Sequence, residues 1–239
     1  MAEIQRLTWR NRILLPVRGF FLRRRVKQIA KWLRITRGAS VLDLGGGSGG
    51  LVLHCKRIGI EARWTVADLY RQLPAAIGET SGIRFVQLSG QGPLPFADAE
   101  FDAVICNAVI EHVTLPKEEC ESVSISERDW ASRSFEHQME FAAEIRRIGR
   151  SYFVETPHRD FPIDSHLWLP FTNWFRHSSL VRLVRISDRY WVKSSDDNVD
   201  WNLLRTSQMK KLFPAADIHI ERVLGMPKAI IAVYNEPSV

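Results

Sequence analysis

Three groups of residues in this chain have the types and spacing to do chemistry. The first is VLDLGGGSGG, Val41 to Gly50, with Asp68 downstream. The second is the adjacent pair Glu111 and His112, and the third gathers His158, Asp164 and His166 inside TPHRDFPIDSHLWLPF, Thr156 to Phe171. Gly45, Gly47 and Gly50 fit G-x-G-x-x-G, a spacing that lets backbone turn tightly and approach a ligand with no Cβ in the way. Asp68 suits the hydroxyls of a ribose. Taken alone, these features serve a dinucleotide and a phosphate-free nucleoside equally.

Asp43 separates the two. It lies two positions before Gly45, near the carboxyl end of a first strand, where ligands of open α/β sheets sit. A carboxylate about 4 Å from a pyrophosphate, at an effective dielectric near 20, is repelled by about 4 kcal/mol. S-adenosylmethionine (SAM) carries a sulfonium, an ammonium and ribose hydroxyls but no phosphate, so the same carboxylate attracts it. A nicotinamide-dependent dehydrogenase also needs a hydride-transfer constellation such as Tyr-x-x-x-Lys, and the chain has no clear one.

VLDLGGGSGG resembles the D-x-G-x-G-x-G motif of class I SAM-dependent methyltransferases. Pro93 to Val113, PLPFADAEFDAVICNAVIEHV, is similar to the fourth-strand segment of their small-molecule members. The resemblance covers roughly residues 38 to 156 and the last twenty. It implies SAM as cofactor, held by Asp43, Gly45, Gly46, Gly47, Asp68, Leu69, Gln91 and Asn107. Where the family often places an acid near the adenine, this chain offers Ser89, Gly90 and Gln91, and Gln91 can accept from the adenine amino group.

Methyl transfer is an in-line displacement, so placing the acceptor atom about 3 Å from the methyl carbon supplies most of the acceleration. A base is needed only where the acceptor must lose a proton, and histidine suits that task at neutral pH. His112, His158 and His166 are the catalytic candidates. His112 is also compatible with packing beside the cofactor, and the His158 to His166 group with holding a loop together. No metal is assigned. A site of His158, Asp164 and His166 matches no recognised ligand spacing. In the ubiquinone-pathway O-methyltransferases a similar Glu-His pair joins an earlier acid to hold a metal; the matching earlier position here is Ala108, which argues against that metal at Glu111 and His112.

These groups must be positioned by strands and helices. Short apolar runs alternating with helical stretches predict strands near 40–44, 62–67, 83–88, 101–106 and 150–155, with helices near 48–58, 69–78 and 135–148. A helix from Ser207 to Leu212 and strands Ile218 to Val223 and Ala229 to Tyr234 close the chain, the last two joined by a turn marked by Gly225 and Pro227. The expected fold is α/β: a Rossmann-like, doubly wound, mostly parallel seven-stranded sheet with a C-terminal antiparallel hairpin. Two parts make up the chain, a basic amphipathic helical arm over residues 1–37 and a SAM-binding domain over 38–239, with an aromatic-rich insertion at about 157–213. That insertion holds Trp168, Trp174, Trp191 and Trp201, and reads as a small core of its own, a lid over an apolar acceptor, or both.

The net charge of +6 is carried by the arm, where residues 1–37 hold eleven Arg or Lys against Glu3 alone. Leu22, Val26, Ile29, Ala30 and Leu33 recur at helical spacing there. Such an arm can be a solvated helix face, or can lie on anionic lipid with Phe20, Phe21, Leu22 and Trp32 inserted. Its Arg-rich start resembles an organellar transit peptide in charge, but it is poor in serine. Neither a signal peptide nor a membrane span is read, and three unpaired cysteines fit a reducing, cytoplasmic compartment.

The partner expected is a small-molecule acceptor, apolar or aromatic, with peripheral contact to anionic membrane as a further option and nucleic acid disfavoured. The competing functions are an RNA or protein methyltransferase that uses the arm, and a SAM-binding regulator without turnover. Against the first, the chain shows neither an N-P-P-Y tetrapeptide nor a Pro-Cys nucleophile.

Overall fold

The computed structural model describes residues 9–70, 82–90, 92–120, 124–167, 169–187 and 199–237, without the side chains of 9–18, 117, 186 and 187. Gln91, Trp168, Trp191 and most of the helix expected over 69–78 lie outside the described residues. Seven strands are present: β1 (Ser40–Leu44), β2 (Arg63–Asp68), β3 (Arg84–Gln87), β4 (Phe101–Asn107), β5 (Gly149–Pro157), β6 (Asp217–Val223) and β7 (Met226–Tyr234). Six α-helices accompany them among the described residues: α1 (Trp9–Trp32), α2 (Gly50–Arg57), α3 (Lys117–Cys120), α4 (Glu127–Ile148), α5 (His177–Ser187) and α6 (Thr206–Leu212).

The strands form one sheet in the order β3-β2-β1-β4-β5-β7-β6. β1 to β5 pair in parallel, whereas β7 runs antiparallel to both β5 and β6. The expected doubly wound sheet with a terminal hairpin is therefore the fold. The winding reverses between β1 and β4, and open α/β sheets take their ligands in the crevice at such a reversal. Leu224 and Gly225, at φ 50° and 79°, make the two-residue hairpin turn that matches strand twist.

β1 is buried from Val41 to Leu44 on both faces, as a central parallel strand must be. Leu42, Leu44, Val104 and Val154 face α4 and α6, packing with Ala142, Ile145 and Leu212. Val41, Ile105 and Phe153 face α1 and α2, packing with Val26, Ile29, Leu33 and Cys55. The amphipathic helix of the arm is thus a layer of the sheet. Ala30, expected on its apolar face, is exposed instead.

Arg25 fastens that layer. It is 6% exposed and reaches Glu155 on β5 at 2.5 Å and Glu221 on β6 at 3.2 Å, while Arg24 pairs with Glu221 at 2.8 Å. Of the side chains that a lipid-bound arm would insert, Phe21 lies under the Lys228 ammonium, Trp32 stacks on His219 and Leu22 packs against the core. Phe20 is exposed. Among the described residues no helix is long and apolar enough to cross a membrane.

Two elements depart from the reading of the sequence. α4 begins at Glu127 rather than near 135, because Ser126 caps it by accepting from the Asp129 N–H at 3.1 Å, a standard N-cap bond. α5 was not anticipated; its buried Leu180, Val181 and Val184 form, with Leu167, Trp201 and Leu203, a separate small core within the insertion.

Candidate active site

The glycine loop leaves β1 at Leu44. Gly45 sits at φ 74° and donates its N–H to Ala67 O at 2.7 Å, and a Cβ there would lie 2.3 Å from Val109 Cγ2. A Cβ on Gly46 would lie 2.4 Å from Asp43 Oδ2. Both glycines are required by close approach, the second because the loop passes directly over the Asp43 carboxylate. Gly47 donates its N–H to Asp68 Oδ2 at 2.9 Å and Tyr70 donates to Asp68 Oδ1 at 3.1 Å. Asp68 so holds the loop, and each carboxylate oxygen keeps capacity for a further donor.

Asp43 is 1% exposed, and its Oδ2 has no hydrogen-bond partner among the described residues. Burial, and then the nearby Asp68 charge, push its carboxyl pKa up to about 7. Asn107 Oδ1 and Glu111 Oε1 are likewise buried without partners. Asp43 pairs in register with Ile105, so all three oxygens belong to the carboxyl ends of β1 and β4. Ala108 follows at φ 54°, a conformation that a non-glycine residue adopts only under local constraint. Each unmet buried acceptor costs about 1–3 kcal/mol, which a ligand rich in donors or positive charge relieves. The ammonium, sulfonium and ribose hydroxyls of SAM fit Asp43 Oδ2 and Asn107 Oδ1; a phosphate does not.

Beyond the loop, Glu111 and His112 occupy a short 3-10 turn, Ile110–His112. Glu111 is fully buried, and its Oε2 accepts from Thr156 Oγ1 at 2.9 Å. His112 Nδ1 lies 2.9 Å from Asp200 Oδ1. Its ring meets that of His166 edge to face with centroids 5.0 Å apart, and His166 stacks on Trp201 at 4.4 Å. Asp164 Oδ1 accepts from the N–H groups of His166 and Leu167 at 2.6 and 3.0 Å and lies 3.3 Å from His166 Nδ1. These contacts hold the Asp164 carboxyl below its usual range against the opposing effect of burial.

Comparison with known proteins agrees with this geometry. Residues 41–123 match the family model described as a methyltransferase domain. Over this segment the chain is similar to a methyltransferase domain. An "Uncharacterized methyltransferase" from Mycobacterium sp. (strain JLS) is 38% identical over 79 residues, which is 33% of this chain. The match spans about a third, 31%, of that curated relative's length. A solved SAM-dependent methyltransferase from Mesorhizobium loti shares the fold at a TM-score of 0.51 and 11% identity, over 87% of this chain and 95% of that one.

Within the matched segment, Asp43, Gly45, Gly46, Gly47, Asp68 and Asn107 gather at the strand ends. Leu69 is 46% exposed beside them, and Gln91 lies outside the described residues. His112 and His166, distant in sequence, meet. His158 is tied elsewhere: its Nδ1 accepts from the Asp160 N–H at 3.0 Å and its Nε2 lies 3.3 Å from Thr206 Oγ1. Burial lowers its pKa, so this ring is a neutral strut between β5 and α6. Asp200 and Trp201, which orient the two histidines, were missed. Asp200 stands 88 residues from its partner, and no local pattern announces such a contact.

Proposed function

We propose that the protein transfers the methyl group of SAM to an oxygen or nitrogen of a small, apolar or aromatic acceptor. The observation that supports this most is the buried Asp43 carboxylate, unpartnered beneath a glycine loop that Asp68 holds in place. Bound SAM supplies an electrophilic methyl, whose C–S bond breaks as the acceptor lone pair forms the new bond, leaving S-adenosylhomocysteine and releasing the acceptor proton.

Asp43 would face the positive charge of the cofactor, Asp68 the ribose hydroxyls, and Asn107 Oδ1 a remaining donor. His112, whose side chain is 38% exposed and oriented by Asp200, stands where an acceptor enters. An imidazole with a carboxylate on Nδ1 presents Nε2 to the acceptor, as a base or, where an ion sits there, as a ligand of that ion. The insertion, with exposed Phe171, Trp174 and Phe175, offers aromatic surface for an apolar acceptor.

Isothermal titration with SAM, S-adenosylhomocysteine and NAD tests the cofactor. Binding of the first two and not the third is expected. Binding of NAD alone would overturn the reading. A screen of phenolic, carboxylic and amine acceptors with methyl-labelled SAM, read by mass spectrometry, tests transfer. Tight SAM binding with no acceptor labelled would support a non-catalytic binding protein instead.

A further inference from the structure

The pairing of His112 with His166 beside a buried acid has a geometry of its own. One ligand atom from each of Glu111, His112 and His166 lies within 4.8 Å of the others, and no other group of this kind occurs among the described residues. Glu111 is buried with Oε1 unpartnered. In that environment an oxygen bearing charge requires a cation or a donor, and neither a Lys nor an Arg pairs with Glu111 among the ion pairs of the described residues. We propose that Glu111, His112 and His166 bind a divalent first-row transition-metal ion such as Zn²⁺.

The arrangement around the rings favours a metal over a simple proton relay. Metal-bound histidines place their second ring nitrogen against a carboxylate or carbonyl, which fixes tautomer and ring direction. Here both imidazoles do so: His112 Nδ1 with Asp200 at 2.9 Å, and His166 Nδ1 with Asp164 at 3.3 Å. That assigns Nε2 of each ring to the ion. Two imidazoles bound through one nitrogen each, at about 2.1 Å and tetrahedral angles, have ring centres about 5 Å apart, and the observed separation is 5.0 Å. A relay needs only one of these rings to be oriented.

The donor set also selects the ion. Two imidazoles and one carboxylate suit zinc, iron or cobalt and are poor for magnesium or calcium. Three protein ligands leave a coordination position open. With His112 at 38% side-chain exposure against 15% for His166, the opening is on the His112 side. An acceptor oxygen bound there would lose its proton to solvent more readily; this last clause rests on the methyltransferase reading, while the metal site does not.

The full chain, stripped with chelator and dialysed, is titrated calorimetrically with Zn²⁺, and with Co²⁺ while its visible absorption is followed. One ion per chain is expected, with cobalt bands typical of four- or five-coordination. His166→Ala and His112→Ala should each weaken zinc binding by about 100-fold or more, and Asp200→Asn by about 10- to 100-fold. Circular dichroism of the two alanine variants confirms that they are folded. Substoichiometric binding, or binding equal in wild type and both alanine variants, overturns the site. So does methyl transfer with an unchanged bell-shaped pH profile after chelation, the signature of a relay. SAM titration of the same stripped chain is read separately. Zinc binding without SAM binding would sink the methyltransferase reading and keep the metal site, and the reverse would do the opposite.

Discussion

Two buried carboxylates on neighbouring parts of the same sheet meet opposite fates. Glu155, near the end of β5, is 4% exposed and paired with Arg25, which α1 carries across to it. Asp43, on β1, is equally buried, and its Oδ2 has no partner among the described residues. Burial raises the pKa of both, but at Glu155 the Arg25 charge opposes the shift, whereas at Asp43 the Asp68 charge adds to it. The first arrangement closes an interface. The second leaves a buried acceptor unmet, which fits the proposed cationic ligand and costs the empty protein stability.

Removing the internal cation tests one side of this contrast. Arg25→Ala leaves Glu155 and Glu221 buried without it, and breaking such a pair costs about 3–5 kcal/mol. Urea unfolding should show a loss of that order together with undocking of α1, and a loss below about 1 kcal/mol would mean that the pairing is incidental.

Asp43→Asn tests the other side and should separate function from stability. SAM affinity should fall by about 100-fold, or about 2.7 kcal/mol, while the melting temperature of the ligand-free protein rises, since an uncharged amide pays less to be buried. A variant that binds SAM normally would show that Asp43 is merely structural. Gly46→Ala asks whether the loop must rest on that carboxylate. A Cβ 2.4 Å from Oδ2 should cost about 1–3 kcal/mol in stability and weaken SAM binding with it, both measurable in one thermal-shift titration.

The smallest expected effect on SAM binding is its dependence on pH. With a folded pKa of about 7 against about 3.9 unfolded, the folded state binds more protons in that window. Stability of the ligand-free protein is therefore greatest below about pH 4 from this group and declines as pH rises through 7. Cofactor binding runs the other way, because the ionised form attracts the cation. Affinity for SAM should be about tenfold weaker at pH 6 than at pH 8, and a flat profile would mean that the carboxylate does not see the charge.

Much of this was legible in the order of residues. Every strand was located to within three residues, because a buried strand needs a short apolar run and the chain has few other places for one. The Asp43 loop, Asp68 and the Glu111-His112 pair were recognisable since their geometry is local: strand, turn and the following residues are covalently adjacent. The insertion was legible only as aromatic surface in need of burial. α5 was overlooked although Leu180, Val181 and Val184 carry helical spacing.

The amphipathic period of the arm showed that a helix would form, but its excess of arginine read as a solvated face or as a surface for anionic lipid. Only the tertiary structure revealed that Arg25 is spent inside the protein on Glu155 and Glu221. The same holds for the histidines. Sequence named His112, His158 and His166 as equals; folding brought two of them together over Glu111 and anchored the third against Thr206. The physical reason is the same in both cases. Backbone periodicity and loop chemistry are set by neighbours along the chain, whereas the partner of a buried charge or an imidazole is set by which distant elements pack against it. The sequence alone thus determined the sheet and the cofactor loop, and the packing of α1 and of the insertion decided which charges are satisfied and which stand open to a ligand.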